Sequence, residues 1–312
     1  MSFAEDDPAL LIELIHDRDD NVREAALRGL FRVRGHGADH LYLEQLARAD
    51  YQLLITAANV LAGSPARDSA RAALFAALAR VTRDRRETSR DARIALLDRI
   101  AEFGDSTDTP RLARYLGDFD PAVAARAADA VERWTGRRPR VSPEPLPKPE
   151  RSLEEILQYR GRRLRVTMSP TAGGGVFEIE LYPDLAPATV ARIVELASRA
   201  YYDDLTFHRV VPNFVIQGGS PGANEYWGDG PFMRDEVGAV SHERGTVGIS
   251  TRGRDTGDAQ LFVNLVDNPR LDFQYTVWGS VAAGLDVVDA ILEGDAIARV
   301  EVVDRPRAAP QR

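Results

Sequence analysis

What most constrains this chain is a change of hydrophobic period across a proline-alternating segment. Through residues 9–134, apolar residues recur at the three- and four-residue spacing of an amphipathic helix. From Arg163 onward they recur at every second position, the spacing of half-buried strands. Between the two lies Arg138-Pro139-Arg140-Val141-Ser142-Pro143-Glu144-Pro145-Leu146-Pro147-Lys148-Pro149. Each proline fixes its own φ and pushes its predecessor into extended geometry, so this stretch reads as a semi-rigid linker. A helical unit and a separate strand-rich unit are therefore expected. The boundaries read as 1–137 for the first, 138–151 for the linker, 152–304 for the second and 305–312 for a tail.

The helical half divides into eight segments, 9–16, 21–33, 41–49, 52–61, 70–81, 90–103, 110–116 and 121–134, punctuated by Asp, Gly and Pro. Eight helices in sequence suggest four helical hairpins. Val22 to Leu30 can be laid over Val123 to Val131, and each follows an Asp-rich turn, Asp17 to Asp20 or Asp118 to Asp120. That internal echo resembles HEAT-like repeats, in which each helix pair buries its apolar face against the next. An all-α solenoid serving as a partner-docking surface is the expectation; a non-repetitive bundle is the alternative.

After a short amphipathic helix at 152–159, strands are expected at 163–168, 176–181, 206–210, 214–217, 246–250, 261–265, 276–281 and 299–304. Helices are expected at 188–199 and 285–292. Eight short strands with two helices favour a closed antiparallel barrel, because closure removes exposed edges.

Composition narrows the function. The net charge is −8, and neither half has the basic excess that phosphate-backbone binding needs. The absence of cysteine removes disulfides, thiolate metal sites and cysteine nucleophiles. No apolar run approaches the ~18 residues of a membrane span. The acidic start, Met1 to Asp7, is unlike a signal peptide, so a cytoplasmic location is the default, or a periplasmic one if a leader has been removed. His16, His36, His40 and His242 show no metal-ligand spacing. Thr171-Ala172-Gly173-Gly174-Gly175 lies between two expected strands and reads as a hairpin, not a phosphate loop.

The most informative stretch is Phe207-His208-Arg209-Val210-Val211-Pro212-Asn213-Phe214-Val215-Ile216-Gln217-Gly218-Gly219. Glu178 to Tyr182 and Ala186 to Val190 precede it; Gly245 to Ser250, Ala259 to Val263, Leu271-Asp272 and Tyr275 to Gly279 follow in order. Together they closely resemble the cyclophilin-type peptidyl-prolyl cis–trans isomerases over nearly half the chain. The resemblance implies rotation about X–Pro peptide bonds in flexible or unfolded proteins. That rotation crosses ~18–20 kcal/mol of amide resonance and takes tens to hundreds of seconds uncatalysed. No bond breaks, so no cofactor or metal is expected. A ~10⁵-fold acceleration would need ~7 kcal/mol of transition-state stabilisation.

The resemblance assigns roles residue by residue. Arg209 would donate to the prolyl peptide, with Gln217 supporting it and Phe214 gripping the ring. Val215, Phe262 and Leu271 would complete the proline pocket, Gln260 would be a second polar cleft residue, and Ser250 and Thr251 would present backbone groups to the peptide. There are departures. Ser250-Thr251 stands where the family often has Ala-Asn, and Tyr275 where many members have His. Arg270 replaces a Trp that contributes to cyclosporin binding in eukaryotic members, which implies weak affinity for that cyclic peptide or a preference for acidic residues beside the proline. His208 is expected to pack and not to react. The long stretch from Gly218 to Gly230, with Tyr226 and Trp227, reads as a loop beside the cleft. The competing interpretation is a proline-peptide binding module with vestigial turnover.

Overall fold

The computed structural model describes residues 7–304, so the expected 305–312 tail lies outside the described residues. The chain divides between Lys148 and Pro149 into two compact units.

The first unit is all helical: α1 (Pro8–Leu14), α2 (Asp20–Arg34), α3 (Asp39–Gln45), α4 (Tyr51–Val60), α5 (Arg67–Arg83), α6 (Arg90–Phe103), α7 (Thr109–Leu112) and α8 (Pro121–Thr135), with short 3₁₀ turns between some of them. The Asp-rich turns of the internal echo are helix caps. Asp19 accepts from the Asn21 amide, and Asp120 accepts from the Ala122 and Val123 amides. Even-numbered helices pack in succession, α2 on α4, α4 on α6 and α6 on α8. Arg93 of α6 is fully buried, bonds both carboxylate oxygens of Asp118 at 2.7 and 2.8 Å, and lies 4.1 Å from the centroid of the Phe119 ring, both partners coming from the segment between α7 and α8. The proline-rich segment runs back along this unit. Its Ser142 amide bonds the Leu116 carbonyl at 2.9 Å, and Lys148 pairs with Glu87.

The second unit holds α9 (Leu153–Leu157), β1 (Arg162–Met168), β2 (Val176–Leu181), α10 (Pro187–Ser198), β3 (Arg209–Val211), β4 (Val215–Gly218), β5 (Thr246–Ile249), β6 (Leu261–Asn264), β7 (Val277–Ala283), α11 (Leu285–Ala290) and β8 (Ile297–Asp304). A capping box between Ser152 and Glu155 starts α9. The strands form one antiparallel ladder in the order β3-β4-β6-β5-β7-β2-β1-β8. Leu164, Val166, Phe177, Ile179, Ile216, Val247, Ile249, Leu261, Val263 and Trp278 fill its inner face against Val190, Ile193 and Leu196 of α10.

The closed barrel expected from the sequence is corrected: the ladder is an open half-barrel with β3 and β8 as its edges. The expected strand at 206–210 is the reason. Asp204 takes a left-handed φ of 63°, and regular pairing begins only at Arg209. Across the gap the described residues form an isolated Thr206–Ala296 bridge in place of a ladder, flanked by bonds such as Phe207 N–H to Asp295 O (2.9 Å) and Ile297 N–H to Leu205 O (2.8 Å).

A long segment, 219–245, joins β4 to β5 without forming a strand and is fastened to α10 at two places. The Glu236 carboxylate caps the helix start, accepting from the Ala188 amide (2.9 Å), the Thr189 amide (2.8 Å) and the Thr189 hydroxyl (2.8 Å). Further along, the buried Arg192 donates to Asp229.

Candidate functional site

Strand register assembles the site. Arg209 on β3 pairs with Gln217 on β4, Gln217 with Phe262 on β6, and Phe262 with Gly248 on β5. Because side chains alternate faces along a strand, this row of four shares the face opposite the core residues Ile216, Val247, Ile249, Leu261 and Val263. The β3–β4 hairpin turns through Pro212 and Asn213, with Asn213 at φ 58°, and so brings Phe214 and Val215 to the same side.

The row floors an open cleft of about 250 Å³, lined by Arg209, Phe214, Val215, Gln217, Ser250, Thr251, Gln260, Phe262, Leu271 and Tyr275 among the residues read from the sequence. Such a volume falls below the ~300–1,000 Å³ typical of pockets that engulf drug-sized ligands, and suits one ring with its flanking peptide groups. Arg270 is not in the lining. It sits exposed at the rim with its guanidinium 4.2 Å from the Phe214 ring centroid, while Arg209 lies 5.8 Å from the same centroid.

A directed chain of hydrogen bonds holds the Arg209 guanidinium. Gln260 Nε2 donates to the carbonyls of Asn224 (3.1 Å) and Trp227 (2.6 Å), which leaves its Oε1 as the acceptor. Gln217 Nε2 donates to that oxygen at 3.1 Å, so Gln217 Oε1 faces Arg209 and accepts from Nη1 at 3.3 Å. Both glutamines are buried, and neither amide can flip without placing two acceptors or two donors against each other. The ion pair between Arg209 and Glu225 is a weaker restraint. It spans 3.7 Å between half-exposed side chains, where such pairs are worth about 0–1 kcal/mol.

The pocket wall is a stack of rings. Phe262 lies parallel to the buried His242 (5.9 Å, 12°) and edge-on to Tyr275 (5.8 Å, 87°). His242 Nδ1 bonds Asp272 at 3.0 Å. That carboxylate also accepts from the His242 amide (2.8 Å) and the Ser241 hydroxyl (2.7 Å), and these bonds hold it below the ordinary carboxylate pKa. Ser250 commits its amide to the Gln260 carbonyl at 2.8 Å, so it offers the cleft its carbonyl and hydroxyl.

His208 stands just before β3 and does not line the cleft. Burial is the main cause pushing its pKa down to about 4, so the ring is neutral near pH 7.

Three further residues line the cleft that sequence reasoning did not single out: Glu225, Arg252 and Asp258. Glu225 comes from the long loop already placed beside the cleft. Arg252 donates to the Glu225 carbonyl and lies 5.3 Å from the Tyr226 ring centroid. Asp258 is deeply buried, with its pKa raised chiefly by that burial, and its carboxylate accepts from the Gly230 amide at 3.2 Å. No local sequence signal marked it: its link to Gly228, where any side chain would run into that carboxylate, is a contact between distant segments.

Comparison with known proteins points one way. Residues 165–309 match the family model described as cyclophilin type peptidyl-prolyl cis-trans isomerase/CLD. The chain is 40% identical over 131 residues to "Peptidyl-prolyl cis-trans isomerase B" of Bacillus subtilis, covering 41% of this chain and 92% of that protein. It is 41% identical over 130 residues to a peptidyl-prolyl cis-trans isomerase of Helicobacter pylori, covering 40% of this chain and 80% of the relative. Among solved structures, a Cryptosporidium parvum cyclophilin type isomerase matches at 21% identity and a TM-score of 0.41, over 46% of this chain and 98% of its own.

Proposed function

Because the chain belongs to the cyclophilin type peptidyl-prolyl cis-trans isomerase family, and is an isomerase of that class, we propose that its 152–304 domain turns X–Pro bonds of flexible proteins with Arg209 as the catalytic donor. The observation that carries this assignment is the one-way relay from Gln260 through Gln217 to Arg209. It presents a guanidinium, whose orientation is set before substrate arrives, to a cleft walled by Phe214, Val215, Phe262, Leu271 and Tyr275.

The proline ring enters among those apolar side chains. An Arg209 N–H bonded toward the prolyl nitrogen favours the pyramidal nitrogen of the twisted amide over the planar one, and so lowers the resonance barrier. Preorganisation matters because the donor stabilises only the twisted state and needs no reorientation to do so. Ser250 and Thr251 at the cleft edge hold one flank of the peptide while the other turns. Tyr275 joins ring packing to a phenolic group able to donate to a carbonyl. Arg270, exposed over Phe214, favours an acidic residue beside the proline.

The helical unit is proposed to be a short HEAT-like stack that docks a partner protein. The succession α2–α4–α6–α8, with the same Asp-capped start on α2 and α8, supports that assignment.

The test is a coupled isomerisation assay on an Ala-Pro tetrapeptide. Arg209→Ala is expected to lower kcat/KM by about 10²–10³-fold, the loss typical of one preorganised electrostatic donor. Arg209→Lys does not restore it, because an ammonium lacks the planar fork that Gln217 orients. Equal rates for wild type and Arg209→Ala would leave a binding module and reject the enzymatic assignment.

A further inference from the structure

One residue at the cleft rim combines two features that the fold does not explain. Residues Leu271 to Gln274 form a tight turn closed by a bond from Gln274 N–H to Leu271 O at 3.1 Å. Asp272 has φ −59° and ψ 139°, and Phe273 has φ 60°. These are the two central positions of a type II turn, whose second position needs a left-handed residue and normally carries glycine or asparagine. An aromatic side chain there is a backbone outlier. Phe273 is also 75% exposed, the most exposed large hydrophobic side chain among the described residues. A lone exposed apolar residue is ordinary, and a left-handed residue is ordinary in a turn. An exposed phenyl ring at a position suited to glycine gains nothing from the core and strains the backbone.

The turn is held from both sides. The Asp272 carboxylate is fixed by His242 and Ser241, the Asp272 amide bonds the Pro269 carbonyl at 3.1 Å, and Gln274 Nε2 bonds the Arg270 carbonyl at 2.9 Å. Strained residues persist where the surroundings over-determine them, and they gather at functional sites. The position is continuous with the cleft, since Leu271 and Tyr275, two residues to either side, both line it.

We propose that Phe273 is a specificity residue of the isomerase: it meets an apolar side chain of the client that flanks the proline, extending the apolar wall of the cleft by one ring. This inference rests on the isomerase assignment, which fixes the occupant of the cleft as a proline-containing segment. The ring would be covered by the client, and only during a binding event.

The test compares two proline hexapeptides that differ only in carrying Leu or Ala at the positions flanking the Ala-Pro core. Full-length wild type, Phe273→Gly, Phe273→Asn and Phe273→Tyr are measured with both peptides. In the Gly and Asn variants, the preference for the Leu-flanked peptide, expressed as a ratio of kcat/KM values, is expected to fall roughly three- to tenfold. The change appears in KM and not in kcat, and Phe273→Tyr retains the wild-type ratio. Gly and Asn both suit a left-handed φ, so both variants fold with thermal midpoints at or above that of wild type. An unchanged ratio in folded Gly and Asn variants overturns the proposal. So does an unchanged ratio accompanied by a shift of molecular mass in light scattering, which would give the ring to a second copy of the chain. Wild-type turnover of the Ala-flanked peptide reports separately on the isomerase assignment. If that turnover is absent, dissociation constants of the same peptides decide the Phe273 question on the same ratio.

Discussion

Gly248 is the position at which the architecture of the site makes its sharpest demand. It lies in β5, directly opposite Phe262 of β6 and paired on its other edge with Val277 of β7. A methyl group built there would fall 2.6 Å from Phe262 Cε1, closer still to Cζ, and 3.0 Å from Cε2. Carbon atoms in ordinary contact stand ~3.5–4.0 Å apart, so the ring would have to move by about 1 Å or more. It has little room to retreat. His242 stacks against it, buried and fixed to Asp272, and Tyr275 meets it edge-on. The strand has little room either, because it is paired on both sides. The remaining direction is into the cleft, where the proline ring would sit. Gly248 does not have a left-handed φ, so on backbone grounds alone Gly→Ala would stabilise by ~0.4–1 kcal/mol through the unfolded chain. Overpacking opposes this with ~1–3 kcal/mol. Gly248→Ala is therefore expected to lower the thermal midpoint by several degrees, at ~2–4 °C per kcal/mol for a domain of this size. It is also expected to lower kcat/KM on the Ala-Pro tetrapeptide by about tenfold or more, since each 1.4 kcal/mol of lost pocket complementarity is a factor of ten. Calorimetry and the coupled isomerisation assay read the two effects. A variant with wild-type midpoint and wild-type kcat/KM refutes the packing argument. A lowered midpoint with unaltered kcat/KM shows that Phe262 retreats from the cleft, and refutes the link from Gly248 to the proline pocket.

Gln260→Glu replaces the Nε2 donor with a second acceptor facing the carbonyls of Asn224 and Trp227. A loss of ~1–3 kcal/mol in stability and at least a tenfold fall in kcat are expected, with unaltered kcat contradicting the relay. His208 has a folded-state pKa of about 4 against 6.5 in the unfolded chain. The unfolded state therefore binds the extra proton between those values, and stability, full above pH 6.5, is lost as pH falls toward 4. Denaturant titrations should show a fall on the order of 1–3 kcal/mol across that window, flattened in His208→Phe, and an equal slope in both proteins would contradict it. Wild type is expected to bind cyclosporin with a dissociation constant above the micromolar range by titration calorimetry, and Arg270→Trp to tighten it; submicromolar binding by wild type would sink this reading of the rim.

How much of this was legible beforehand follows from the range of the interactions concerned. The period change around 138–149, the helical spacing before it and the alternation after it are local patterns, so helices and strands could be placed from the chain alone. The eight-residue separation of Arg209 and Gln217 across a Pro-Asn turn is equally local, since a hairpin of that length sets the two side by side. The family resemblance rests on such ordered short motifs. What the sequence alone did not determine depends on contacts between distant segments. Whether eight strands close into a barrel turns on the short β3 and on the left-handed Asp204, which no alternation pattern records. Gln260 lies 43 positions from Gln217, and only pairing of β4 with β6 makes it the residue that orients the relay. Asp258 and Gly228 explain each other solely through their contact in space. Nothing in the local pattern marks Phe273; the turn gives it a left-handed backbone and solvent on most of its surface. Local periodicity and motif order thus determined which elements exist and which family the chain resembles. Register, side-chain crowding and hydrogen-bond direction, which need both partners in place, decided how the cleft is built.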